Sequence, residues 1–257
     1  MLALRSIAFN IAFYGNICLW MIGALPALAL PRSVLTRIVR AWARSNLFLL
    51  RVLVGIRYEL RGTDRIPPGG LLVAAKHQSF WETFAFFLIF EDPCYILKRE
   101  LLWLPLFGWF CRKARMVPVD RGARSRAMKA MNAAARVELD AGRQIVIFPE
   151  GTRRAPGAEP AYKYGVAFLY SEMGVPCLPV ALNSGLFLPR RQFIRRPGTI
   201  VVEVLEPIAP GLERTVFFET VQREIEAATS RLVGTPPAPR PEPLDAGRRL
   251  DSPTGAP

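Results

Sequence analysis

The segment Leu71-Leu72-Val73-Ala74-Ala75-Lys76-His77-Gln78-Ser79-Phe80-Trp81-Glu82 starts as five apolar residues behind the turn Pro67-Pro68-Gly69-Gly70. It then passes through a polar step into a second apolar run. A short apolar run bounded by turn residues predicts a strand over residues 71–75. The periodicity that follows predicts a helix from about residue 79 to 90. The polar step lies where a strand exits into a helix, which is where open α/β sheets place ligands.

Reading outward, the same alternation continues. Residues 94–97 predict a strand. Residues 125–141, rich in alanine and stopped by Gly142, predict an amphipathic helix. A buried strand over 144–148 follows, then a helix over 161–173, strands over 177–182 and 199–204, and a closing amphipathic helix over 215–232. This order predicts an α/β fold: a mixed, largely parallel sheet covered by helices. There are no internal repeats.

The ends of the chain differ from this middle. Between Arg5 and Arg32 no residue is charged, and the apolar run is long enough for a membrane-spanning helix, which needs about 20 residues. Asn10, Asn16 and Pro26 interrupt it, so a dipping or tilted segment fits as well as a clean span. The run exceeds a signal-peptide core, and Pro26 and Pro31 make a poor cleavage site. Arg32, Arg37, Arg40, Arg44 and Arg51 follow, with no acid before Glu59. Such a basic cluster beside an apolar segment points to the cytoplasmic face of the inner membrane. Residues 33–55 read as a second helix on or in the bilayer, or as a basic helix packed on the domain. The expected organisation is a membrane-associated helical segment over 1–56, an α/β domain over 57–233 and a disordered, Pro-rich tail over 234–257.

The formal charge of +13 calls for an anionic partner. No nucleic-acid motif accompanies it and the arginines crowd the apolar end, which argues against DNA or RNA. Four cysteines (Cys18, Cys94, Cys111 and Cys177) form no Cys-x-x-Cys pair, and the single histidine completes no zinc set with them. Buried free thiols and no metal are expected.

Because His77 is the only histidine, any imidazole chemistry uses it. On one continuous helix a carboxylate five residues later points about 140° away. His77 and Glu82 therefore meet only if His77 precedes the helix and Glu82 reaches back from its start. In that geometry one ring nitrogen is held and the other is free to take a proton from an alcohol or water. No Gly-x-Ser-x-Gly motif is present, Ser79 is too close to His77 for a triad, and Ser184 has Leu182 and Leu186 where that motif's glycines would stand. A base without a protein nucleophile suggests direct attack by a substrate oxygen. Phe148-Pro149-Glu150-Gly151-Thr152-Arg153, at the exit of a strand, is a turn whose Arg153 offers a planar fork suited to phosphate.

Together these segments resemble the glycerolipid acyltransferase family typified by 1-acyl-sn-glycerol-3-phosphate acyltransferases. The resemblance runs from about Gly62 to Pro207. The family's first block, His-x4-Asp, is matched by His77-x4-Glu82, with glutamate in place of aspartate. The second resembles Lys98-Arg99-Glu100-Leu101 with Pro105 and Gly108, then Val119-Asp120-Arg121. The third, Phe148–Arg153, is matched without change. The fourth resembles Val175–Val180 continuing to Asn183-Ser184-Gly185, and Lys163-x-Gly165 also fits. The resemblance implies that His77 and Glu82 are catalytic. It implies that Lys98, Arg121 and Arg153 hold the acceptor's phosphate, with Glu150, Gly151 and Thr152 shaping the pocket. It further implies a lysophospholipid acceptor and an acyl-CoA or acyl carrier protein donor at the bilayer. No cofactor is implied, and amides near a helix N-terminus would stabilise the oxyanion. Another lyso-acceptor, such as a lyso-ornithine lipid, fits the same blocks, and so does a non-catalytic membrane-surface role.

Overall fold

The computed structural model describes residues 1–120 and 124–234, with side chains throughout except at 124–127. Strands β1 (Ile56–Arg61), β2 (Leu71–Ala75), β3 (Pro93–Lys98), β4 (Val117–Val119), β5 (Gln144–Ile147), β6 (Cys177–Leu182) and β7 (Gly198–Val204) form one sheet among the described residues. Their order is β1-β7-β6-β2-β5-β3-β4. All neighbours run parallel except β6 and β7. The central strands β2, β5 and β6 are buried along their whole length, which is why they read as unbroken apolar runs.

Successive side chains of β2 serve opposite faces, as the pleat requires. Leu71, Val73 and Ala75 join the core under α1 (Leu2–Gly23), α2 (Arg32–Leu49) and α3 (Glu82–Ile89). Leu72 and Ala74 join the core under α5 (Arg124–Asp140), α6 (Gly165–Met173) and α7 (Arg214–Val233). The first core is aromatic: Trp81, Phe84 and Phe86 are fully covered, each contributing about 1.5–3 kcal/mol of burial.

Three elements have no clear sequence signal. Edge strand β1 exposes most of its length and carries charge at alternate positions, so no buried stripe marks it. β4 is three residues long, and α4 (Phe107–Lys113) is two turns. Two helices start later than expected. α3 begins at Glu82 rather than residue 79, because the amides of Gln78 and Ser79 bond the Glu82 carboxylate instead of winding into the helix. α6 begins at Gly165 rather than 161, because Lys163 N donates to Pro149 O and holds the preceding chain against the turn after β5. The tail and Arg121 lie outside the described residues.

α1 is long and apolar enough to cross a membrane, at about 33 Å for its 22 residues. Ser6, Asn10 and Asn16 turn inward, while Arg5 and Tyr14 stay exposed. Ser6 Oγ accepts from Arg195 N at 2.9 Å, and Asn16 Nδ2 donates to Ser45 Oγ and Asn46 Oδ1 at 2.8 and 3.1 Å. Asn10 Oδ1 accepts from Arg195 Nη2. The asparagines that interrupt the run in sequence therefore leave an outer face of Leu4, Ile7, Ile11, Leu19 and Ile22 intact. Pro26 sits in a separate helical turn, Leu25–Leu28, after α1 has ended.

α2 packs on the α/β body. Trp42 meets Phe84 edge-on, Arg32 forms a two-pronged pair with Asp92 at 2.8 and 2.6 Å, and Arg40 caps the carbonyls of Phe87, Phe90 and Glu91. Arg37 and Arg44 on its outer side, and Arg51 in the Leu50–Val54 turn that follows, are spaced by seven and remain exposed. All four cysteines are free. Three are buried, with burial pushing the Cys94 and Cys111 thiols up to about 11 and about 12, whereas Cys18 is exposed on α1 against expectation.

Candidate active site

Because β2, β3, β4, β5 and β6 are parallel, their C-terminal ends meet along one edge of the sheet. That edge brings together His77 after β2, the Phe148–Arg153 turn after β5, Ser184 and Gly185 after β6, and Lys98 at the end of β3. β5 lies between β2 and β3, so Lys98 leaves the sheet about 10 Å from the strand carrying His77.

His77 precedes α3 and Glu82 is the first residue of that helix, the arrangement their spacing demands. His77 Nδ1 and Glu82 Oε1 are 2.9 Å apart. The imidazole stacks on Phe148, with centroids 4.0 Å apart and planes at 16°. Its side chain is 13% exposed, and Nε2 makes no hydrogen bond among the described residues.

Glu82 is fully buried and gathers five donors. Oε1 also accepts from Gln78 N and Ser79 N, both at 2.7 Å. Oε2 accepts from Ser79 Oγ and Ser184 Oγ, both at 2.9 Å. Burial pushes this carboxyl up, but the hydrogen bond and charge of His77 and the Ser79 amide outweigh burial and hold it below the usual carboxylate range. An ionised Glu82 can only accept, so Nδ1–H donates to it and Nε2 is the ring nitrogen left toward the cleft. The longer arm of glutamate, unexplained in sequence, here delivers one carboxylate to five donors at once.

Those bonds revise one expectation. The amides of Gln78 and Ser79 are committed to Glu82, and that of Trp81 to Ser79 Oγ, so these three do not face an oxyanion. The turn after β5 is equally tied down. Arg154 N donates to His77 O at 2.8 Å, and Gly151 N closes a turn on Phe148 O with φ +64°. On the other side Gly185 N donates to Gln78 Oε1 at 3.0 Å, and a Cβ at Gly185 would lie 2.8 Å from Pro156 Cδ.

The cations divide into two sets. Arg153 is half-buried and its guanidinium makes no hydrogen bond or ion pair among the described residues; only its carbonyl is engaged, by Arg190 Nη1. The Lys163 side chain lies over Gly151, its Cε 3.3 Å from where a Cβ would stand. Lys98 is half-exposed and pairs with Glu100 at 2.9 Å. Arg99 pairs with Asp120.

The second set is buried behind the site. Lys76, beside His77, places Nζ 3.0 Å from Glu150 Oε1 and 2.6 Å from Glu226 Oε1 on α7, and Tyr162 OH donates to the same Glu226 oxygen. Glu150 thus faces inward rather than toward a ligand. Burial pushes its carboxyl up, although Lys76 opposes this. Lys76, Glu226 and Tyr162 carry no signal in sequence, because their partners lie 64 to 150 residues away.

This edge offers a proton acceptor, a buried orienting carboxylate and unpaired cations, the parts needed to activate a hydroxyl on an anionic substrate. The sequence profile of the family described as Acyltransferase matches residues 57–183. The chain belongs to that family and is an acyltransferase. Within it, the chain is similar to 1-acyl-sn-glycerol-3-phosphate acyltransferases. It is 35% identical to that of Pseudomonas aeruginosa over 206 residues, 79% of each chain. It is 31% identical to the alpha enzyme of Mus musculus over 212 residues, 78% of this chain and 72% of that one. The fold matches the 1-acyl-sn-glycerophosphate (LPA) acyltransferase PlsC of Thermotoga maritima with a TM-score of 0.74, over 90% of this chain and 98% of that one at 22% identity.

Proposed function

We propose that this enzyme is a 1-acyl-sn-glycerol-3-phosphate O-acyltransferase that converts lysophosphatidic acid to phosphatidic acid. The donor is an acyl thioester of coenzyme A or acyl carrier protein. His77 Nε2 takes the proton of the acceptor's sn-2 hydroxyl as that oxygen attacks the thioester carbonyl. The new C–O bond forms, the C–S bond breaks, and the imidazolium returns its proton to the leaving thiolate. Glu82 keeps Nδ1 protonated and stabilises the imidazolium. Arg153, with Lys98 and Arg121, holds the phosphate, and Lys163 adds a positive charge over the turn. Gly151 and Thr152 shape the pocket wall, and Glu150 locks the turn from behind.

α1 lays its apolar outer face in the bilayer, and the exposed arginines of α2 favour the cytoplasmic side of the inner membrane. Both acyl chains then stay in lipid while headgroup and thioester meet at the sheet edge.

The observation that carries this reading is the His77–Glu82 pair with a free Nε2, on the same edge as the unpaired Arg153 guanidinium. The test is acyl transfer by detergent-solubilised enzyme, offering acyl-CoA and acyl carrier protein thioesters against lysophosphatidic acid, lyso-ornithine lipid and lysophosphatidylethanolamine. Lysophosphatidic acid is the expected acceptor, and His77→Ala lowers the rate by about 10²- to 10⁴-fold. Near-full transfer by His77→Ala refutes the base, and preference for an acceptor without a phosphate monoester refutes the substrate.

A further inference from the structure

The segment between β3 and β4 leaves the catalytic edge just past Lys98 and exposes four large apolar side chains within seven residues. Trp103, Leu104, Phe107 and Trp109 are 67, 49, 40 and 51% exposed. Scattered exposed apolar residues are ordinary, but a contiguous group of this size marks a contact surface.

The backbone is built to hold that group outward. Leu106 sits at φ +59°, a conformation a branched side chain rarely adopts and one that costs on the order of 1–3 kcal/mol. Gly108 packs so closely that a Cβ there would lie 2.1 Å from Leu102 O. The turn therefore holds strain and a glycine that no other residue could replace, and the apolar groups it presents find no cover in the protein.

Two features select the occupant. α4 packs against the Leu25–Leu28 turn that follows α1, so the patch continues from the end of the apolar helix where Leu25 and Leu30 are also exposed. Its composition is two tryptophans followed by Arg112 and Lys113, neither of them ion-paired among the described residues. Tryptophan with a basic flank is the make-up of a membrane–water interface, where the ring sits at headgroup level and the cation meets phosphate.

We infer that Trp103, Leu104, Phe107 and Trp109 form a second lipid-inserting element, so that the enzyme meets the bilayer at two points, α1 and the β3–β4 segment. The inference rests on the reading that α1 lies in the bilayer. With both points in lipid the Lys98 side of the site is drawn down to headgroup level, and the acceptor reaches the sheet edge without leaving the membrane.

The test places an environment-sensitive NBD fluorophore on the full chain carrying Cys18→Ser, the other three cysteines being buried. Leu104→Cys reports the patch, Leu19→Cys reports α1 and Arg223→Cys reports an exposed site on α7. With vesicles of phosphatidylcholine and phosphatidylglycerol, the labels at 104 and 19 are expected to shift to the blue and to be quenched by spin-labelled lipid, while that at 223 stays in water. Trp103→Ser with Trp109→Ser should lower vesicle partitioning by about tenfold or more. A shift at 19 but not at 104 overturns the second contact and leaves α1 attachment standing. A shift at neither removes the α1 reading and this inference with it. A concentration-dependent shift at 104 without vesicles means that another copy of the chain covers the patch, and overturns it as well.

Discussion

Glu82→Gln removes one charge from the centre of the site while keeping its shape. The amide oxygen takes the place of Oε1 and still accepts from His77 Nδ1, Gln78 N and Ser79 N. The amide nitrogen takes the place of Oε2, where Ser79 Oγ and Ser184 Oγ can rotate to accept instead of donate. The opposite amide orientation would set its NH2 against three donors, so one arrangement is selected and the fold persists.

What changes is the imidazolium formed during proton transfer. A unit pair at the 2.9 Å separation, in an effective dielectric of about 20, is worth roughly 6 kcal/mol. Charge spread over the ring and the surviving amide acceptor reduce the net loss to about 2–4 kcal/mol. That is roughly a 30- to 1000-fold fall in kcat at about 1.4 kcal/mol per tenfold. The assay is transfer from acyl-CoA at saturating lysophosphatidic acid, with thermal unfolding followed in parallel. A kcat within threefold of the parent, with the melting temperature unchanged, refutes the electrostatic role of Glu82. Glu82→Asp probes reach: shortened by one methylene, the carboxylate cannot serve all five donors, and each buried donor left unmet costs about 1–3 kcal/mol. Destabilisation with reduced activity is expected, and parent-like values of both would show that the longer arm is not required.

Arg153→Ala should raise the KM for the acceptor well above its effect on the KM for the donor, and an effect confined to the donor would move the phosphate elsewhere. Lys76→Met leaves the buried Glu150 and the partly buried Glu226 without their cation and should cost about 3–5 kcal/mol at neutral pH. Burial already favours the protonated form of Glu150, so much of that loss should return at pH 5; equal denaturant midpoints at pH 5 and pH 8 would count against the arrangement. Glu82 is held below its ordinary value, so its contribution is present above about pH 4.3 and is lost as pH falls through its lower folded value. As pH falls below about 4.3 the parent should therefore lose stability more steeply than Glu82→Gln, and parallel curves would contradict the assignment.

How far the sequence reached depended on the range over which each feature is encoded. The buried strands announced themselves because both of their faces are covered, so every residue from Leu71 to Ala75 or Cys177 to Leu182 had to be apolar or small. β1 did not, because an edge strand with exposed sides has no such constraint. The meeting of His77 and Glu82 follows from five residues and the pitch of a helix, and the Phe148–Arg153 turn from six residues at a strand exit. Both were legible without coordinates.

Only the tertiary structure decided which groups complete them. The parallel order of β6, β2 and β5 carries Ser184 across 102 residues to Glu82. It also turns Glu150 inward to Lys76 and brings Glu226 from α7 to the same ammonium. The fold likewise turned Ser6, Asn10 and Asn16 inward and left α1 a largely apolar outer face. Helices, turns and apolar runs are governed by neighbours in the chain and can be read there. A buried charge or hydroxyl is governed by whichever partner the topology delivers within about 3 Å, and nothing local in the chain names that partner.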